Sequence, residues 1–279
     1  MNALTIAVSP CPNDSFIFGA WALGHVPSPA GRSCRFFWHD VQELNQGASA
    51  DTWDLTKVSA AVALRLEDTH TILSCGGAFG LEHGPKLVVR KGWKKTPRTI
   101  AVPGLDTTAM LLLKNALGYD FTPVPMIFDS IVQAVRTGRV DAGLLIHETA
   151  LIYDRHELEL RLDLGAWWRE YTHGLPLPLG CIVIRRALGE TLRVAAEESI
   201  RTSILQARKH PDRIRPFTAA LAQELDSAVL DQHIAAYVND FSLDMGRDGL
   251  TALNRLLKIS SRAGCSKILL TRRACAQNG

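Results

Sequence analysis

The chain has 279 residues, 47% of them hydrophobic, and a formal net charge of +3, which suits one large domain or two of ordinary size around a sizeable core. No long basic run interleaved with aromatics occurs, so a nucleic-acid binder is not expected. No apolar stretch nears the ~18 residues of a membrane span. The N-terminus lacks a basic region followed by an apolar core and a cleavage site, so a cytoplasmic location is expected.

Leu4 to Val8 is a short apolar run that reads as a strand. Ser9-Pro10-Cys11-Pro12-Asn13-Asp14-Ser15 follows as a stiff polar turn into a helix, with Asn13, Asp14 or Ser15 as its cap. Asp54-Leu55-Thr56-Lys57-Val58-Ser59 has the same form and feeds the apolar-periodic segment Ala60 to Leu66. Lys86 to Arg90 reads as the last strand of a first block, and the charged stretch Lys91 to Arg98 as a crossing segment. Thr99 to Val102 opens a second block, with a Pro103-Gly104 turn, a helix start at Asp106-Thr107-Thr108 and a helix over Ala109 to Leu117. Asp141 to Ile146 is a strand that ends in His147-Glu148-Thr149, and Gly180 to Arg185 is the strand that closes the block. Beyond it the pattern is helical, over Leu188–Ala207, 211–225, Ser227–Val238 and Gly249–Leu257.

Alternating strands and helices predict an α/β protein whose sheets are mostly parallel and flanked by helices. The terminal helices bring no strands of their own and are expected to pack back on the first block. Residues 1–98 with 187–279 would then form a discontinuous larger domain, and 99–186 an inserted smaller one, with a ligand cleft between them.

If the strands run parallel, the ends after Val8, Ser59, Val102 and Ile146 converge and bring together Asn13, Lys57, Ser59, Thr107, Thr108 and His147. Thr107 and Thr108 open a helix, whose free N–H groups and dipole favour a carboxylate; they serve equally as a plain cap. Lys57 would add a positive charge. His147 offers a neutral imidazole that accepts a proton, although a lone histidine is more often structural. Glu148 is set aside, because adjacent side chains on a strand point apart. Phe18, Trp21, Trp167 and Trp168 are candidates for cavity walls or for core, and the Gly174–Gly180 loop for a rim or hinge. The six cysteines, Cys11, Cys34, Cys75, Cys181, Cys265 and Cys275, form no C-x-x-C pair or zinc-spaced cluster. Cys11 lies in the candidate site, but no histidine is near it in sequence to activate it.

These motifs carry a resemblance. Ser9 to Asp14, Leu55 to Ser59, Val102-Pro103-Gly104 leading to Thr107-Thr108-Ala109, and Gly143 to Glu148 resemble the menaquinone-biosynthesis enzymes of the futalosine route, and among them the 1,4-dihydroxy-6-naphthoate synthases. Asp163 to Trp168, Gly174 to Gly180 and Tyr237 to Asp244 extend the match over most of the chain. The resemblance implies a two-lobed fold of the periplasmic-binding-protein type II kind. It implies a carbon–carbon lyase that converts cyclic dehypoxanthine futalosine to 1,4-dihydroxy-6-naphthoate with loss of a three-carbon fragment, dihydroxyacetone. His147 would be the catalytic base, and Lys57, Val58, Ser59, Thr108 and Ala109 would line the substrate site with Asn13 and Thr107. No metal or organic cofactor is expected. The expected partner is a small anionic substrate, without nucleic acid or membrane insertion, and a homodimer is left open. A chorismate dehydratase of the same route and a non-catalytic solute-binding protein are the alternatives; a nucleotide enzyme is disfavoured, since neither G-x-G-x-x-G nor a P-loop is present. The tail from about Gly264 departs from the family pattern.

Overall fold

The computed structural model describes residues 3–222 and 226–262; the atypical tail from about Gly264 and the expected helix end at position 225 lie outside them. The strands in chain order are β1 (Leu4–Val8), β2 (Cys34–Trp38), β3 (Leu55–Ser59), β4 (His70–Ile72), β5 (Ala78–Gly80), β6 (Lys86–Arg90), β7 (Thr99–Val102), β8 (Thr122–Pro125), β9 (Ala142–Leu145), β10 (Leu158–Asp163) and β11 (Leu177–Arg185). They form two sheets. One has the order β2-β1-β3-β11-β4, with β5 also on β11; the other has the order β10-β6-β9-β7-β8.

Each sheet has a parallel core, β2-β1-β3 in one and β9-β7-β8 in the other. β11 and β6 run against these cores, and β4, β5 and β10 pair antiparallel with those two strands, so the sheets are more mixed than expected from the sequence. The reason lies in the two crossings. β11 starts beside the carboxyl end of β3, with Gly180 opposite Ser59, and β6 starts beside the carboxyl end of β9, with Lys86 opposite Leu145. A chain that crosses at the cleft can only run away from it, against the parallel strands.

The crossings also fall one strand earlier than the boundaries expected at 98/99 and 186/187. β6 pairs within the second sheet, and β11 pairs within the first. Charge and glycine mark Lys91 to Arg98 as a linker, but that segment joins two strands of the same sheet.

The helices are α1 (Pro12–Ala22), α2 (Val41–Ser49), α3 (Ala60–Ala63), α4 (Thr108–Ala116), α5 (Phe128–Arg136), α6 (Leu164–Thr172), α7 (Glu190–Lys209), α8 (Pro211–Leu221), α9 (Ser227–Tyr237), α10 (Asp240–Leu243) and α11 (Gly246–Arg262). α7 buries Leu192, Ala196, Ile200, Ile204 and Ala207, a stripe at helical spacing, against Ile17, Phe18 and Trp21 of α1. Ser203 within that stripe donates to Ile17 O at 2.6 Å and accepts from Trp21 N at 3.2 Å, so the buried hydroxyl is satisfied. α7 thus packs on the first helix, which follows a strand of the first sheet. α11 does more: Leu253 and Leu256 share one buried cluster with Val58 and Val183 of the first sheet and Leu87 and Ile100 of the second. Among the described residues no helix is long and apolar enough to cross a membrane.

Candidate active site

α1 begins earlier than its candidate caps. Cys11 is the N-cap, with no side-chain bond, and Pro12 occupies the first helical position. Proline presets the helical φ and has no N–H to satisfy there. Asn13, Asp14 and Ser15 therefore sit in the first turn, all buried. The Asp14 carboxylate accepts from Ser9 Oγ at 2.7 Å and from Asn13 Nδ2 at 2.7 Å, and it pairs with Lys57 Nζ. Negative charge in the first turn is favoured by the helix dipole. Lys57 is thus buried and already paired, rather than the free cation expected for a carboxylate clamp.

Close approach of β11 makes room for this pair. A Cβ on Gly180 would lie 2.7 Å from Lys57 Cε and 3.1 Å from Val58 O, so any larger residue there would displace the Lys57 side chain from its pairing. Ser59 is held by Asn45 of α2, which accepts from Ser59 N at 2.9 Å and donates to Ser59 Oγ at 3.1 Å.

Thr107 caps α4: its Oγ1 accepts from Met110 N at 3.2 Å and donates to Gly104 O at 3.0 Å. Thr108 Oγ1 accepts from Ala61 N at 3.1 Å and donates to Leu179 O at 3.0 Å. Both hydroxyls are committed to the protein, so what the helix start can offer a ligand is its backbone N–H groups and its dipole.

His147 lies just past the end of β9 with φ 57° and ψ −151°. A side chain rarely adopts this conformation, and such strain is retained where the surroundings enforce it. The reversal breaks the strand alternation. Glu148, set aside on that alternation, therefore joins the site: ligating atoms of His147, Glu148 and His233 all lie within 4.8 Å of one another. This is a donor set able to hold a metal ion, and no spacing in the sequence marks it.

The His147 ring meets Phe128 edge-on, with centroids 4.8 Å apart. Burial pushes its pKa down to about 4, against the opposing pull of Asp14. Cys11 Sγ lies 3.2 Å from His147 Nδ1, which supplies the histidine absent from its sequence neighbourhood. The Cys11 thiol is nevertheless pushed well above its ordinary value, by burial first and the Glu148 charge second.

His233 comes from α9, and its Nε2 lies 3.0 Å from Asn13 Oδ1. It was not anticipated. The available signal was a histidine in the buried stripe Val229, Leu230 and Tyr237 of an otherwise ordinary helix.

One cleft, with a cavity volume of about 100 Å³, lies at the centre of the site. Asn13, Lys57, Val58, Ser59, Thr107, Thr108, Ala109 and His147 all line it, as do His233 and Tyr237. Its apolar walls include Val41, Leu44, Ile146 and Leu179. The aromatic candidates are not among the lining residues. Phe18 and Trp21 are core under α7, Trp167 stacks on Tyr171, and the buried Trp168 donates from Nε1 to Pro176 O at 3.1 Å. From Leu177 the expected rim loop is strand β11, which brings Leu179 and Gly180 to the cleft.

Two sheets joined by crossings at a shared cleft define an α/β protein of the two-lobed, periplasmic-binding-protein-like class. The Candida albicans CA3427 gene product, described as having the generic periplasmic binding protein fold, superimposes with a TM-score of 0.71 at 11% identity, covering 96% of this chain and 92% of that one. The family described as menaquinone biosynthesis matches residues 4–262, and the chain belongs to it. A 1,4-dihydroxy-6-naphtoate synthase of Thermus thermophilus is 42% identical over 265 residues, 95% of this chain and 96% of the relative. One of Streptomyces coelicolor is 40% identical over 270 residues, 94% of each chain. The solved structure of Archaeoglobus fulgidus AF1704 has a TM-score of 0.89 at 35% identity, covering 94% of this chain and 98% of that one. The protein is an enzyme of menaquinone biosynthesis.

Proposed function

We propose that the enzyme is a carbon–carbon lyase that converts cyclic dehypoxanthine futalosine to 1,4-dihydroxy-6-naphthoate and dihydroxyacetone in the cytoplasm, with His147 as general base. The observation that carries this reading is an uncharged imidazole, on a strained backbone, in the cleft that also receives the start of α4. The substrate carboxylate is assigned to that helix start, where N–H groups and dipole favour an anion without a free lysine. The segment from β6 to α6 acts as the inserted lobe and closes over the ring system.

In the step itself, a substrate proton passes to His147. The carbon–carbon bond to the three-carbon fragment breaks, and the released electron pair enters the ring system that becomes aromatic. No redox partner is needed. A base with a pKa near 4 is weak at neutral pH, but a bound carboxylate changes that. Negative charge nearby stabilises the imidazolium and raises the pKa toward the range where a general base works best.

Incubation with cyclic dehypoxanthine futalosine, followed by mass and absorbance, tests the reading. The expected products are dihydroxynaphthoate and dihydroxyacetone. Turnover of chorismate instead would reject it.

A further inference from the structure

His233 has no part in the chemistry just described, yet its surroundings determine which ring nitrogen carries hydrogen. The Asp14 carboxylate receives Ser9 Oγ, Lys57 Nζ and Asn13 Nδ2. A carboxylate held by these donors only accepts, so the amide nitrogen of Asn13 faces Asp14 and its oxygen faces away. That oxygen is the atom 3.0 Å from His233 Nε2. An amide oxygen also only accepts, so the hydrogen resides on Nε2. Among the described residues no acceptor lies within hydrogen-bond distance of Nδ1, so none of them calls for a second hydrogen on the ring.

An uncharged ring with its hydrogen on Nε2 has a bare lone pair on Nδ1. That atom is buried without a hydrogen-bond partner, and Glu148 Oε2 is 3.9 Å away. The side chain is 1% exposed and lines the cleft. A buried acceptor left unmet is costly, and a donor arriving with a ligand removes the cost. The ring centroids of His147 and His233 are 6.3 Å apart, so the two imidazoles are neighbours in the cleft.

We infer that His233 is a second functional imidazole of the cleft, held as the Nε2–H tautomer by Asn13 and Asp14, and that its Nδ1 accepts a hydrogen bond from a substrate hydroxyl. This rests on the functional reading above. A fragment that leaves as dihydroxyacetone carries hydroxyl groups beside the bond that breaks, so one imidazole takes the proton while the other holds the fragment.

Two substitutions separate this role from a structural one. His233→Gln keeps a donor toward Asn13 but has no acceptor at the Nδ1 position. His233→Asn carries an acceptor near that position but cannot reach Asn13. The expected result is near-native thermal stability with about a tenfold lower kcat/KM for Gln, and lower stability with partly restored kcat/KM for Asn. A merely structural histidine gives the opposite order and overturns the inference. Nitrogen-15 spectra of the histidines give a readout that needs no turnover. The free protein should show His233 as the Nε2–H tautomer, and dihydroxyacetone should move the Nδ1 resonance. An Nδ1–H tautomer, or an Nδ1 resonance moved by zinc alone, overturns the proposal, the second in favour of a metal ligand. Absence of turnover by the native enzyme removes the functional reading and, with it, the substrate assigned to His233. Native turnover with an unaffected Gln variant rejects only the role of His233.

Discussion

Cys11 Sγ and His147 Nδ1 lie 3.2 Å apart, although 136 positions separate them in the chain. The pair has the composition of a thiol–imidazole dyad without its ionisation. Burial raises the thiol and lowers the imidazole, so both are neutral near pH 7. A dyad that carries nucleophilic chemistry requires the thiolate. Cys11 is here a neutral neighbour of the His147 imidazole.

Cys11 should therefore resist iodoacetamide in the native protein at pH 8 and react only after denaturation. Peptide mass mapping of alkylated protein checks this. Rapid labelling of native Cys11 at that pH would show a thiolate and reverse the assignment.

His147→Asn removes the proton acceptor while keeping approximate size. It should fold and bind the cyclic substrate, with kcat lowered by about 10² to 10⁴. In the native enzyme the acid limb of kcat/KM should lie near pH 4, since it reports the ligand-free imidazole, whose pKa is about 4. The acid limb of kcat should lie higher, because the bound anion raises the imidazole in the complex. Coincident limbs near pH 6.5 would mean that His147 is not the group observed.

The same depressed pKa affects stability. Between pH 6.5 and 4 the unfolded chain protonates this histidine and the native protein, with its pKa at about 4, does not. Stability from this group is complete above pH 6.5, falls as the pH drops toward 4 and is flat below, by about 3 kcal/mol in all. Urea unfolding of native protein and His147→Asn at pH 7 and pH 4.5 should show a smaller acid loss in the variant; equal losses would exclude His147 as a source.

Lys57→Ala should act mainly on folding. It strands the Asp14 carboxylate, which is 2% exposed. Removing one partner of a buried ion pair costs about 3 to 5 kcal/mol. Thermal unfolding is the measurement. An unchanged melting temperature with a raised KM would restore Lys57 as a substrate clamp.

Thr108→Val should likewise lose stability before affinity. Its hydroxyl bridges Ala61 N and Leu179 O, and both would be left unpaired in a buried place. The expected cost is about 1 to 3 kcal/mol for each group. A KM within twofold of native for the folded variant would agree with an anion site made of backbone donors.

The sequence by itself determined the local events. The apolar runs gave the strand positions of β1, β3, β7 and β9 to within a residue or two. The polar turns after them placed Asn13, Ser59, Thr107 and His147 at strand ends, because a strand followed at once by a helix start leaves its side chains there. What it could not carry was pairing between distant segments. β6 and β11 look like neighbours of the strands they follow, and only hydrogen bonds across the cleft decide which sheet each joins. Lys57 reads as a free charge until Asp14, 43 positions earlier, is brought against it. Cys11 reads as isolated until β9 delivers His147. His233 lies 220 positions from Asn13 and sits in an ordinary helical stripe. Its tautomer depends on a chain of donors and acceptors drawn from α1, β3 and α9, a property of the assembled fold alone.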